Sequence, residues 1–82
     1  MSKKDKLIER FKSFPNDFTW DELVRLLGYF GYKEFTSGKT GGSRRKFIND
    51  DKLIISLHKP HPGNIVKRYV LDDVFEYLSD RL

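Results

Sequence analysis

The sequence predicts an α+β fold, a two-layer sandwich in which a three-stranded antiparallel sheet carries helices packed on one face. A capping box opens one strongly helical segment, the hydrophobic period changes to that of strands after Gly31, and a helical period returns near Val70. The chain has 82 residues, a length that suits one small domain. We therefore expect residues 1–82 to form a single domain, with residues 1–14 as a short helical extension.

Three segments have the period of amphipathic helices. The first covers residues 3–12, in which apolar side chains recur on one face. The second covers about residues 20–30 and is opened by Thr19 and Glu22, whose spacing is that of a capping box. The third covers about residues 70–81. These helices would flank the sheet in the order helix, helix, three strands, helix.

The strands are predicted at residues 32–36, 43–48 and 53–58, from their β-branched and aromatic content and the turn residues between them. In the third strand one face carries Leu53, Ile55 and Leu57 and the other carries Ile54, Ser56 and His58, so the first three are expected on the core face. A three-residue turn over residues 50–52 would place Phe47 opposite Ile55 in the core.

The same register decides which cations face outward. Arg44 would lie opposite His58 on the open face of the sheet, and Lys46 would share that face. Arg45 would point to the core side with Phe47, so that only its guanidinium reaches solvent.

The positive charge is concentrated in the middle of the chain. Residues 37–69 carry eight Lys or Arg against two Asp, whereas residues 1–36 carry seven basic against six acidic side chains and residues 70–82 carry one against four. A patch of this kind attracts polyanions, although a solvated basic face would show the same composition. The chain has no cysteine, and its N-terminus lacks the apolar run of a signal peptide or membrane span. We therefore expect a cytoplasmic protein with no membrane partner.

The glycine-rich stretch 38-GKTGGSRRKF-47 allows two interpretations. It lacks the P-loop pattern and enters a strand rather than a helix, so nucleotide binding of that kind does not fit. Either it is a hairpin loop in which Gly41 and Gly42 supply positive φ angles, or these glycines let a phosphate backbone approach closely. In the second case the backbone would be neutralised by Lys39, Arg44, Arg45 and Lys46.

His58 and His61 are the candidates for proton transfer, because imidazole is the side chain that ordinarily changes charge near neutral pH. Two imidazoles without cysteine fall short of a convergent metal-ligand set. We predict no metal site and no small-molecule cofactor. A structural role at the end of the strand is the alternative for His58.

Several motifs resemble those of the HicA family of bacterial toxins. They are 41-GGSRRKF-47 at the second strand, 55-ISLHKPHPGN-64 at the end of the third strand, and 67-KRYVLDDVFEYL-78 in the final helix. The stretch 20-WDELVRLLGYFGY-32 also looks like the first helix of that family. The resemblance covers roughly residues 19–80.

The resemblance implies a fold like that of a double-stranded-RNA-binding domain and the activity of an mRNA interferase. Such a protein is an endoribonuclease that cleaves mRNA without a metal and is held inactive by a HicB-like antitoxin. The family has a histidine after glycine and serine in the second strand, whereas this chain has Gly42, Ser43 and Arg44. Arginine stays protonated and is a poor base. Either His58 or His61 transfers protons instead, or the chain is a non-catalytic RNA-binding module.

The resemblance also implies roles for individual residues. His58 would act as base or acid, with His61 as the other candidate, while Arg44 and Lys59 would stabilise the phosphate. The expected contacts to RNA come from Lys39, Gly41, Gly42, Ser43, Arg45 and Lys46. A more distant possibility is a protein-interaction domain whose basic patch docks an acidic partner. Salt-dependent binding of RNA would distinguish an RNA-binding module from such a domain.

Overall fold

A computed structural model describes residues 2–35, 44–60 and 63–82, with residue 44 through its backbone. The elements, in chain order, are α1 (Lys3–Lys12), α2 (Trp20–Tyr29), β1 (Lys33–Phe35), β2 (Arg44–Ile48), β3 (Ile54–His58) and α3 (Arg68–Leu78). The predicted α+β class and element order are confirmed. Helix α3 begins two residues earlier than predicted and ends three residues earlier.

The start of α2 shows why this segment is helical. The hydroxyl of Thr19 accepts a hydrogen bond from the backbone N–H of Glu22 at 3.2 Å, and the Glu22 carboxylate accepts one from the Thr19 N–H at 3.0 Å. These bonds satisfy N–H groups that have no partner within a helix. At the other end, Gly31 has φ 87°, a left-handed conformation that directs the chain from α2 into β1.

The sheet is antiparallel, with strand order β1-β2-β3. Phe47 pairs with Ile55 and Arg44 pairs with His58, so the predicted register is confirmed. Phe47, Ile55 and Leu57 are buried, and the Phe47 ring lies 5.9 Å from that of Trp20 on α2. The helices therefore cover this face, and the opposite face, against which none of the described helices packs, is the open face of the sheet.

The turn between β2 and β3 has the predicted three-residue loop. The N–H of Lys52 donates to the carbonyl of Asn49 at 3.0 Å, and Lys52 has φ 64°, which is the geometry of a type I turn closed by a left-handed residue. The prediction that Leu53 lies on the core face is wrong: it precedes β3 and is 55% exposed. Its N–H is held by the Asn49 side chain instead, at 2.9 Å.

The core combines residues of all three helices with the covered face of the sheet. Helix α1 contributes Leu7 and Phe11, and the Phe11 ring packs against Phe18 and Phe75 at 5.9 and 6.2 Å. The predicted N-terminal helix thus shares the core of the later elements. Within the described ranges, no helix combines the length and apolar character needed to cross a membrane.

Candidate nucleic-acid interface

A small cleft lies where the end of β3 meets the beginning of α3. Its space, counted with the solvent at its mouth, is about 270 Å³, and it is lined by His58, Pro60, Lys67, Tyr69 and Val70. The side chains of His58, Lys67 and Tyr69 are exposed, and Val70 is buried beneath them. An imidazole, an ammonium group and an aromatic ring therefore lie together at one surface.

A short bridge between distant parts of the chain brings these elements together. The N–H of Val66 donates to the carbonyl of Phe18 at 2.8 Å, and the N–H of Trp20 donates to the carbonyl of Asn64 at 2.8 Å. Thr19 and Ile65 form an isolated antiparallel bridge between these bonds. This pairing fixes the segment after β3 against the start of α2. As a result, α3 begins beside the end of β3.

The cleft is electrically positive. Of the residues that line it, Lys67 is a permanent cation and none is acidic. Lys67 is also the N-cap of α3 and makes no side-chain capping bond to the described residues. The N–H groups at the start of a helix add further positive potential. An anion such as a phosphate would therefore be favoured here.

The open face of the sheet continues from the cleft. Arg44 is the register partner of His58, and Lys46 is the partner of Ser56. Because directly paired residues project to the same side of a sheet, Lys46 lies on the open face, as predicted. The half-buried Lys59 follows β3 directly. Lys67 thus shares the cleft with His58, Lys59 follows it in the chain, and the backbone of Arg44 pairs with it across the sheet.

Arg45 occupies a different environment. It pairs with the buried Leu57 and lies on the covered side of the sheet, as its parity predicts. Its Nε lies 3.3 Å from Oε2 of Glu34 on β1. Contact between Arg45 and RNA remains a prediction, and it would have to compete with this ion pair.

The remaining predicted residues fall outside the described part of the chain. These are Lys39, Gly41, Gly42, Ser43, His61 and the side chain of Arg44. Their roles stay predictions. Among the described residues, no group of three or more His, Cys, Asp or Glu side chains is placed to hold a metal ion.

Sequence reasoning did not select Lys67 and Tyr69, although both line the cleft with His58. The charge of Lys67 was a usable signal, because it belongs to the basic middle segment. The helical period gave no signal for Tyr69, since it identifies the buried face of α3 and Tyr69 is 53% exposed. Their proximity to His58 depends on the bridge between residues 18–20 and 64–66.

The model of the family described as the HicA toxin of bacterial toxin–antitoxin systems matches residues 20–78. The matched range begins at the first residue of α2 and ends at the last residue of α3, so it contains the cleft and leaves α1 outside. Comparisons with curated proteins and with solved structures gave no match.

Proposed function

Because this chain belongs to the HicA family of bacterial toxin–antitoxin systems, we propose that this toxin acts as an endoribonuclease that cleaves mRNA in the cleft beside His58. The observation that supports this most directly is the position of His58. Its imidazole is exposed at the end of β3, in register with Arg44 and in one cleft with Lys67 and Tyr69. We propose that the reaction takes place in the cytoplasm, where mRNA is found.

The chemistry needs proton transfer at a phosphodiester. The 2′-oxygen of one nucleotide attacks the adjacent phosphorus, a bond forms between them, and the bond from phosphorus to the 5′-oxygen breaks. A base takes the proton of the 2′-hydroxyl, and an acid gives a proton to the departing 5′-oxygen. The products end in a 2′,3′-cyclic phosphate and a 5′-hydroxyl. Imidazole can perform either transfer near neutral pH, and we assign one of them to His58.

The second requirement is stabilisation of the negative charge that develops on the phosphate. We assign this role to Arg44 and Lys59, and we add Lys67, which lines the same cleft as His58. Preorganised cations act most strongly when they surround the position of the developing charge. The reaction requires no metal or cofactor.

Binding of the substrate would use the rest of this surface. The exposed Tyr69 ring offers a platform on which a base next to the scissile phosphate can stack, since aromatic faces accept any base. Lys46 on the open face would contact the RNA backbone, together with the predicted contacts from Lys39, Gly41, Gly42, Ser43 and Arg45. Such contacts position the chain without reading sequence.

The second candidate is a non-catalytic RNA-binding module. It is favoured by Arg44, which occupies the position where the HicA resemblance leads us to expect a histidine. The experiment that separates the two candidates is incubation of the purified chain with end-labelled RNA in a metal chelator, followed by analysis of the product ends. We expect cleavage to 2′,3′-cyclic phosphates. Binding without cleavage would favour the module, and 3′-hydroxyl products would contradict the proposed chemistry.

The antitoxin is the expected protein partner, because HicA toxins act in toxin–antitoxin pairs. We propose a HicB-like antitoxin that covers the open face of the sheet and so blocks access of RNA to His58. This surface carries Lys46 and, towards the β2–β3 turn, the apolar side chain of Ile54, which is 52% exposed. An acidic surface with apolar anchors would complement it.

A further inference from the structure

A second basic groove lies between α1 and α2. It is lined by Lys3, Lys6, Leu7, Arg10, Glu22 and Arg25, and it encloses about 530 Å³ that is open to solvent. Helix α1 precedes residues 20–78, the range matched by the family. The groove is therefore built by the family's first helix and an additional helix outside the matched range.

The spacing of the cations places them in one row. Lys3, Lys6 and Arg10 are separated by three and four residues, so they share one face of α1. With a rise of about 1.5 Å per residue, the row is about 10 Å long. Arg25 faces it from α2, one turn after Glu22.

Glu22, the acidic residue that lines the groove, is already paired with Arg10. Oε2 of Glu22 accepts a hydrogen bond from Nε of Arg10 at 2.7 Å, and Glu22 also closes the capping box of α2. Lys3, Lys6 and Arg25 are exposed and form no ion pair with the described residues. Three cations in this groove thus remain uncompensated.

Helix stability does not account for the lysines of α1. Lys3 lies in the first turn and Lys6 soon after it, near the positive end of the helix dipole, where cations are unfavourable by a few tenths of a kcal/mol or more. The groove also lacks an apolar anchor for a protein, because Leu7, its apolar lining residue, is only 8% exposed. Protein interfaces are usually centred on exposed aromatic or apolar side chains. An extended polyanion fits this surface better.

We propose that the α1–α2 groove is a second RNA-binding site, in which Lys3, Lys6 and Arg25 hold backbone phosphates outside the cleavage site. This inference rests on the proposed function, because it takes RNA as the ligand. The groove contributes affinity without sequence preference, since ammonium and guanidinium groups contact phosphates rather than base edges. A long RNA would therefore bind more tightly than one that fills only the cleft beside His58.

The test compares two double variants of the full chain, K3A/K6A and K4A/K12A. Both remove two lysines from α1, but Lys4 and Lys12 do not line the groove. The probe is a single-stranded 2′-O-methyl RNA, which lacks the attacking 2′-hydroxyl, and its Kd is measured at increasing salt. The binding constant 1/Kd falls as salt is added. Loss of two phosphate contacts should make the slope of log(1/Kd) against the logarithm of the salt concentration less steep by about 1.4. Between about 50 and 200 mM salt, the wild-type Kd should then rise about sevenfold more than that of K3A/K6A.

The K4A/K12A variant should keep most of the wild-type slope, which would support the groove as the location of the contacts. If the two variants had equal slopes while the wild-type chain still bound RNA, the groove would not be an RNA-binding site. The proposed function would be unaffected by that result. A wild-type chain that neither binds nor cleaves RNA would overturn the proposed function, and with it this site. If K3A/K6A weakened antitoxin binding but not RNA binding, the groove would be a protein-docking site, contrary to the proposal.

Discussion

Tyr69 and Tyr77 lie about two turns apart on α3 and have nearly the same exposure, 53% and 54%. The pockets that they line differ in charge. Tyr69 shares its cleft with His58 and Lys67, whereas Tyr77 lines a cavity with Asp73 and Glu76. A nucleic acid brings a phosphate next to every base. Tyr69 is therefore the one of the two that has a cation in its cleft to pair with the phosphate next to a stacked base.

Replacing Tyr69 with alanine should weaken RNA binding about fivefold or more, because loss of one stacking contact costs about 1–3 kcal/mol. Tyr69→Phe should stay near the wild-type Kd, since the stacking face is kept. Titration of a labelled 2′-O-methyl RNA measures both. Tyr77→Ala is the matched control, and an equal loss of affinity for Tyr69→Ala and Tyr77→Ala would exclude stacking at the cleft.

Among the elements, the β2–β3 hairpin fixes the register that sets Arg44 against His58. Its turn depends on Asn49, which is 8% exposed and bonds to the turn through its backbone and its side chain. The N–H of Asn49 donates to the carbonyl of Leu53 at 3.2 Å, and its side-chain oxygen accepts from the Leu53 N–H at 2.9 Å. Asn49 thus bonds to both the carbonyl and the N–H of Leu53 across the turn.

Asn49→Ala should lower the free energy of unfolding by about 1–2 kcal/mol, because it leaves the N–H of Leu53 without its partner. Urea unfolding of the purified chain measures the change. Lys52→Gly serves as the comparison, since glycine adopts the φ of 64° found at this position without steric cost. It should be neutral or stabilising by up to about 1 kcal/mol. If Asn49→Ala unfolded at the wild-type midpoint, the turn would not depend on this side chain.

An ion pair between Arg10 and Glu22 links α1 to α2. Arg10 binds Glu22 through Nε at 2.7 Å and through a second nitrogen at 3.3 Å. The hydrogen bond from Arg10 holds the pKa of Glu22 below its ordinary value of 4.5, although partial burial acts in the opposite direction. A lowered pKa means that this contribution to stability is complete above about pH 4.5 and is lost as the pH falls through the folded-state value.

Glu22→Gln should therefore destabilise the protein at pH 7 by about 1 kcal/mol, and the difference from the wild type should shrink below pH 4.5. Glutamine can still complete the capping box, so the change isolates the ion pair. Urea unfolding at several pH values measures it. The control is Asp72→Asn, which removes the exposed 3.4 Å pair with Arg68 and should have almost no effect. A difference for Glu22→Gln that persists undiminished to pH 3 would contradict the assignment.

The sequence was sufficient to predict the hairpin. Side chains alternate between the two faces of a strand, so the turn must have a length that places Phe47 opposite Ile55 with both on the buried face. It was also sufficient for α2, whose cap and helical period are local signals. The cleft was not predictable in this way. It depends on hydrogen bonds between residues 18–20 and 64–66, and neither segment has a repeating pattern that identifies its partner. Sequence therefore indicated His58, and the structure added Lys67 and Tyr69.

The two ends of the open sheet face differ in chemical character. One end carries His58 with Lys67 in the adjoining cleft, and the other carries the exposed Ile54 beside the β2–β3 turn. RNA would use the first end, whereas a protein inhibitor could use both. We expect antitoxin binding to be less sensitive to salt than RNA binding, because apolar contacts are not screened.

Addition of the antitoxin should shift the backbone amide resonances of Lys46, Ile54 and His58, because these residues share the face that it is proposed to cover. Amide chemical-shift perturbation on the labelled toxin measures this. Lys46→Glu should slow association with the acidic antitoxin by reversing one contributing charge, and Lys12→Glu on α1 is the control. Shifts confined to α1, with none along β2 and β3, would place the antitoxin elsewhere.

We propose that His58 transfers a proton during RNA cleavage, and the rate of cleavage by His58→Ala tests this claim. The rate is measured in single turnover on end-labelled RNA, with His61→Ala as the comparison and with Kd determined separately on 2′-O-methyl RNA. We predict that His58→Ala cleaves at least about 100-fold more slowly than the wild type, because general acid–base catalysis contributes about 10²–10⁴-fold, while its Kd changes little. Cleavage by His58→Ala at the wild-type rate would contradict the claim.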